Sequence, residues 1–329
     1  MPEVLIGVDL GGTRIRAARL DKALNILQRE DTLTLAHEGL QPTIERIKAL
    51  IHKVMPEDKS DLLGIGVSAP GPLNPLTGVV VAPPNLPGWH EVPLAQILRD
   101  EFDAPIYVGN DANVAALAEV TRGAAQGYRH VIFITVSTGV GSGVIYDGRL
   151  LLGKVGLGGE AGHMIMVADG GQVSTLELQA AGPALARRAR AALEDGATSI
   201  MTDMVGGDLG LLDASIIGRA AADGDELAQQ IVDHSAFFVG LGIVSLLHLF
   251  NPEVIVIGGG VSKFGDGWYE KINATVQKHA LDDSYWRDLK IVPAGLAGAV
   301  SIIGAAALVL TQGGQADVTQ VAATLDLYD

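Results

Sequence analysis

Val4-Leu5-Ile6-Gly7-Val8-Asp9-Leu10-Gly11-Gly12-Thr13 is an apolar strand running straight into a glycine turn, and Ile15–Leu20 leaves that turn as a second strand. A turn at Asp21-Lys22 and a third strand over Ile26–Thr34 complete a β-meander. The same order returns roughly 127 residues later, a separation of about one domain length. There Val131–Val136 enters Ser137-Thr138-Gly139-Val140-Gly141-Ser142-Gly143, Gly143–Tyr146 leaves it, Asp147-Gly148 turns, and Leu150–Leu152 closes the meander. Both turns offer small residues, hydroxyls and unobstructed backbone N–H groups, the features that cradle a phosphate chain.

Helices alternate with the strands after each meander, which predicts α/β layers. In the first half Thr43–Val54 has helical spacing, and Leu63–Val67 is a buried strand ending in Ser68-Ala69-Pro70-Gly71-Pro72. A Pro/Gly-rich loop reaches Asn85-Leu86-Pro87-Gly88-Trp89, Val92–Phe102 is amphipathic, and Ile106–Val108 is a strand before a helix opening at Ala112. In the second half helices are expected near Leu178–Leu193, over Ala214–Ala222 and from about Glu226 to Phe250, where Asn251-Pro252 stops the last. Val254–Ile257 is then a strand ending in Gly258-Gly259-Gly260-Val261. Two domains are expected: 1–120, completed by a helix at about 298–311, and 121–297, followed by a polar tail at 312–329 that frays.

Composition narrows the function. With 329 residues, 48% of them hydrophobic, the chain can bury ample core. The net charge of -15 repels a polyphosphate backbone and argues against nucleic acid. It also means that any nucleotide must be held by local N–H groups, a few cations and a divalent metal. The chain has no cysteine, which excludes thiolate nucleophiles and Cys-ligated zinc and is compatible with a reducing compartment. No signal peptide is expected, since Asp9 ends the first apolar run. The uncharged run from Ile291 to Gly314 resembles a membrane span, but Pro293 divides it and leaves a helix too short for a bilayer.

Each motif has an ordinary reading beside the chemical one. Asp9–Thr13 could be a plain tight turn. Asn110-Asp111, between a strand and a helix, could be an N-cap; alternatively it sets a carboxylate where α/β ligands collect. Gly158-Gly159-Glu160-Ala161-Gly162-His163 could be a solvated surface turn, and Glu177 could serve the dipole of the helix it begins. No Gly-x-x-x-x-Gly-Lys-Ser/Thr loop is present, and neither glycine turn has the spacing that opens a dinucleotide-binding helix.

Taken together and in order, these motifs resemble the ROK family of bacterial sugar kinases and repressors, within the actin-like/hexokinase ATPase superfamily. The resemblance runs from Gly7 to about Leu310 through Asp9–Thr13, Gly64–Val67 with Pro70-Gly71-Pro72, Asn85–Trp89, Asn110–Asn113, Ser137–Gly141, Glu160–Met164 and Gly258–Val261. It implies two actin-like (RNase H-like) ATPase domains with a cleft between them, and a cytoplasmic enzyme phosphorylating the 6-hydroxyl of a hexose, most simply glucose. Asp111 is implied as the general base, with Asn85, Asn110, Glu160, His163 and Glu177 hydrogen-bonding the other sugar hydroxyls. Gly11, Gly12, Thr13, Thr138 and Gly139 are implied to hold the ATP phosphates, Gly258, Gly259 and Gly260 to line the adenosine pocket, and Asp9 to position Mg²⁺ through water. A homodimer or homotetramer is the implied assembly, with no membrane or nucleic-acid partner.

One departure is informative. Many family members place a cysteine loop after the Gly-His pair, where it binds zinc with that histidine. Here Met164–Thr175 is shorter and has no cysteine, so no zinc is expected and packing alone must position Glu177. Fructose, mannose, N-acetylglucosamine or N-acetylmannosamine are alternative acceptors, and polyphosphate an alternative donor. A sugar-responsive repressor would need a DNA-binding domain ahead of the first turn, where this sequence has eight residues before Asp9. A non-catalytic sugar-binding protein would tolerate loss of Asp9 or Asp111, and both are intact.

Overall fold

The computed structural model describes residues 3–296 and 298–325. Strands β1 (Val4–Leu10), β2 (Arg14–Asp21) and β3 (Ile26–Leu33) form the first meander, and α1 (Leu40–Val54) follows. β4 (Leu62–Ala69) leads through the two-residue strands β5 (Leu73–Asn74) and β6 (Val79–Val80) to α2 (Leu94–Phe102), β7 (Ile106–Asn110) and α3 (Asp111–Arg122). β1, β4 and β7 run parallel in a sheet ordered β3-β2-β1-β4-β7. Their register sets Asp9 opposite Ser68, Ser68 opposite Gly109, and Ala69 opposite Asn110. The ends of three parallel strands therefore deliver Asp9 and Asp111 to one edge, where α/β sheets bind ligands.

The second meander is β8 (Val131–Val136), β9 (Val140–Tyr146) and β10 (Arg149–Leu150). Next come a hairpin, β11 (Ile165–Asp169) and β12 (Gln172–Thr175), and the helices α4 (Leu176–Ala180), α5 (Gly182–Glu194), α6 (Met201–Met204), α7 (Ala214–Ala222) and α8 (Glu226–Phe250). β13 (Val254–Gly258), α9 (Asp266–His279), β14 (Lys290–Pro293), α10 (Val300–Leu310) and α11 (Val318–Leu325) complete the chain. The second five-stranded sheet has the order β10-β9-β8-β13-β14.

The chain divides into two compact units. One comprises the residues up to Phe133, Gly143–Gly159 and those from Ala294 on; the other comprises Ile134–Ser142 and Glu160–Pro293. In the first unit the middle of the sheet is buried on both faces, which is why β1 reads as an unbroken apolar run, whereas the edge strand β3 is largely exposed. Ile6, Val8 and Leu10 point into a core shared with Ile44, Ile47 and Ile51 of α1. The opposite face receives α10 at close range: a Cβ on Gly66 would lie 1.7 Å from the Ala305 carbonyl oxygen. Glycine is the residue that permits this approach.

In the second unit β13 is entirely buried, and α8 runs past α4, α7 and α9. Among the described residues α8 is the one helix long and apolar enough to cross a membrane, and 67% of its apolar window is buried inside the protein.

As expected, the run Ile291–Gly314 is divided at Pro293 between β14 and the eleven-residue helix α10. Other expectations need correction. The helix expected over Leu178–Leu193 breaks at Ala181, because Pro183 has no N–H to continue α4 and instead suits the first turn of α5. β9 starts at Val140, so the second turn is only Ser137–Gly139. The tail expected to fray holds α11, whose Val318 and Leu325 are buried and which packs on α3. Residues 326–329 of that tail lie outside the described residues.

Candidate functional site

The first glycine turn is tightly built. Gly11 N–H donates to the Arg14 carbonyl (3.0 Å), and Thr34 Oγ1 donates to the Gly11 carbonyl (2.6 Å). The Gly11 N–H is therefore spent on the turn itself and is not available to a ligand. Those of Gly12 and Thr13 have no acceptor among the described residues. Asn85 lies beside this turn, its Nδ2 3.1 Å from where a Cβ on Gly12 would be. Leu86 and Trp89, each 1% exposed, anchor the Asn85–Trp89 loop in the core and leave Asn85 facing solvent.

Asn110 caps α3 as the ordinary reading requires, its Oδ1 accepting from Asn113 N (2.7 Å). Asp111 follows as the first helical residue, with Ala112 N–H donating to its Oδ1 (2.8 Å). Solvent reaches Asp111, yet protein surrounds it closely enough that burial pushes its carboxyl above the usual range, against the pull of the Ala112 and Asp111 N–H groups. Asp9 is also raised, first by burial; the Arg16 guanidinium, 3.3 Å away, opposes the shift and the Asp111 charge adds to it. Two carboxylates thus sit close enough to repel each other, a hard-oxygen pair that a divalent cation would relieve.

The remaining expected residues lie in the second unit. The N–H groups of Thr138 and Gly139 have no acceptor among the described residues. The turn around them is clamped: Ser137 N donates to the Gly139 carbonyl (2.8 Å) and Gly182 N to the Ser137 carbonyl (2.7 Å). Glu160 precedes a short helical turn that His163 ends, and both are exposed. That segment packs on β9, with Ala161 N donating to Ser142 Oγ (3.0 Å). Glu177 is not positioned by packing alone. Its Oε2 accepts from Val140 N (2.9 Å), and Thr175 caps its helix. The cysteine-free segment Met164–Thr175 forms the β11–β12 hairpin.

Gly258 ends β13 and Gly259 turns with φ +94. Gly260 joins Ser137 and Thr138 in lining a cavity of about 910 Å³. Gly182, Pro183 and Ala186 from α5, Leu212, Gly218 from α7, Val261 and Phe264 supply an apolar wall. Arg187, Arg190, Arg219 and Lys263 also line it, four cations in a chain of net charge -15. Sequence reasoning missed these cations and Phe264; the i, i+3 spacing of Arg187 and Arg190 looks the same as on a solvated helix face.

Proteins similar to this chain in sequence and fold are known. The chain is 36% identical over 288 residues to a glucokinase of Halalkalibacterium halodurans, covering 84% of this chain and 86% of that one. It shares a TM-score of 0.78 and 31% identity with the ROK hexokinase of Thermus thermophilus, covering 94% of this chain and 98% of that one. With a ROK family glucokinase from Streptomyces griseus, solved in complex with glucose and AMPPNP, the TM-score is 0.74 at 30% identity, covering 93% and 98%. Residues 5–312 match the ROK family as a whole, so the expected two-domain α/β fold stands and the chain belongs to the ROK family.

Proposed function

We propose that this protein is an ATP-dependent hexose kinase that transfers the γ-phosphoryl group to the 6-hydroxyl of glucose, with Asp111 as general base. The observation that carries the reading is Asp111 itself: a carboxylate at the end of β7 and the start of α3, raised above its usual range and reached by solvent. An alcohol attacks phosphorus poorly until its proton leaves, and a base whose pKa is shifted toward neutrality removes it more effectively. The Ala112 N–H fixes one carboxylate oxygen and leaves the other for the 6-hydroxyl.

Phosphoryl transfer needs alignment and charge neutralisation more than covalent help. The unspent N–H groups of Gly12, Thr13, Thr138 and Gly139 suit phosphate oxygens, and the 910 Å³ cavity beside Thr138 and Gly260 suits adenosine. Asn85, Asn110, Glu160, His163 and Glu177 are proposed to bind the other sugar hydroxyls. Asp9 fits Mg²⁺, held through water; the ion would supply neutralisation of the phosphate charge.

ADP release from Mg-ATP, measured across glucose, mannose, fructose, N-acetylglucosamine and N-acetylmannosamine with a no-sugar control, tests the reading. Turnover fastest on glucose supports it. Turnover fastest on an acetamido sugar would keep the kinase and replace the substrate, and none on any sugar would defeat it.

A further inference from the structure

Glu177 does more in this structure than the sugar contact proposed for it above requires. Its Oε2 accepts a hydrogen bond from Val140 N, the first residue after the Ser137–Gly139 turn, and lies 2.6 Å from where a Cβ on Gly139 would be. Any residue larger than glycine at 139 would push the carboxylate away. Val140 is fixed on its other side by the Glu160–His163 segment: a Cβ on Gly162 would lie 2.0 Å from the Val140 carbonyl oxygen. Turn, carboxylate and sugar-facing segment are thus packed as one block within the second unit. The other carboxylate oxygen, Oε1, makes no hydrogen bond among the described residues.

We propose that Glu177 is a positioning residue that couples the two substrates, with Oε2 holding the phosphate turn through Val140 N while Oε1 accepts from a hexose hydroxyl. The inference rests on the hexose-kinase reading above and adds a consequence to it. A sugar hydroxyl on Oε1 restrains the carboxylate, which steadies its bond to Val140 N and so holds Thr138 and Gly139 ready for phosphate. Coupling between binding sites is reciprocal, so hexose tightens nucleotide and nucleotide tightens hexose by the same factor.

The test is calorimetric titration of Mg-ADP into the full chain, with and without saturating glucose, for wild type, Glu177→Ala and Glu177→Gln. For wild type, glucose should tighten Mg-ADP about 5- to 10-fold, the low end of typical couplings. For Glu177→Ala, Mg-ADP without sugar should weaken about 10-fold or more, the lower end of the worth of one hydrogen bond to a charged group, and glucose should no longer alter it. Glu177→Gln keeps an oxygen that accepts from Val140 N, so its sugar-free affinity should return to within about 2-fold of wild type. A Glu177→Ala protein that binds glucose poorly but holds Mg-ADP as wild type does would overturn the proposal and leave Glu177 a sugar ligand only. If the alanine variant does not fold, Glu177→Asp replaces it; one methylene shorter, it withdraws from Val140 N and should show the same sugar-free loss. A wild-type chain that binds neither Mg-ADP nor glucose would instead remove the hexose-kinase reading beneath the proposal.

Discussion

Asp111→Asn separates chemistry from architecture. Asparagine has nearly the same shape and keeps an oxygen for the Ala112 N–H at 2.8 Å, so the start of α3 is preserved. What is lost is the group that accepts the hydroxyl proton. General bases contribute about 10²- to 10⁴-fold, or roughly 3 to 5.5 kcal/mol of barrier, so kcat should fall by at least about 10²-fold while glucose still binds. Stability moves the other way. At low pH the carboxyl is protonated in both folded and unfolded chains and contributes nothing. As pH rises through the unfolded-state pKa toward the raised folded value, the native state keeps its proton longer and stability is lost. At neutral pH the native carboxylate carries that full penalty, so removing it should leave Tm unchanged or higher. The wild-type kcat/KM profile should show an acid limb that falls as pH drops through the raised pKa of Asp111. Steady-state ADP release, calorimetry with glucose and a thermal melt read all of these. A variant with kcat within about 10-fold of wild type would refute the base assignment, and a marked fall in Tm would refute the burial penalty.

Other expectations probe the frame and the cavity. Gly66→Ala should force α10 off β4, since its Cβ would lie 1.7 Å from the Ala305 oxygen; a loss of about 3 kcal/mol or more is expected in urea unfolding, and a midpoint like wild type would contradict the packing. Glu119, fully buried, accepts from Ala124, Gly295 and Leu296 N–H groups at 2.7 to 3.0 Å. Glu119→Ala should cost about 2 to 4 kcal/mol by leaving these donors to find new partners, again read by urea unfolding. Ala214→Trp places a bulky ring in the cavity that Ala214 lines, and should raise KM for ATP about 10-fold or more with little change in glucose affinity. An unchanged KM for ATP would move the nucleotide elsewhere.

The parts of the fold legible in the sequence were those fixed by local rules. The two strand–turn–strand openings, the strand before Asn110 and the long apolar helix all follow from side-chain periodicity and glycine placement. Asn110 could be read as a cap because capping is decided within four residues. What escaped depended on contacts distant in sequence. Nothing near Glu119 announces that Gly295 and Leu296 will donate to it, 176 and 177 residues away. The Glu177–Val140 bond spans 37 residues, and the expectation that packing alone would hold Glu177 missed it for that reason. The cations lining the cavity come from α5, α7 and the segment after β13, so no single window shows them as a group. Met164–Thr175 was seen only as a loop lacking cysteine, although its Gly170-Gly171 pair, both with positive φ, is the turn of a hairpin.

The most direct measurement is the product itself. Purified protein incubated with Mg-ATP and glucose, followed by phosphorus and proton NMR, should yield glucose 6-phosphate and ADP in equal amounts, with ATP stable when glucose is omitted. ATP consumed equally without sugar, or no phosphorylated sugar with both substrates present, would contradict the account.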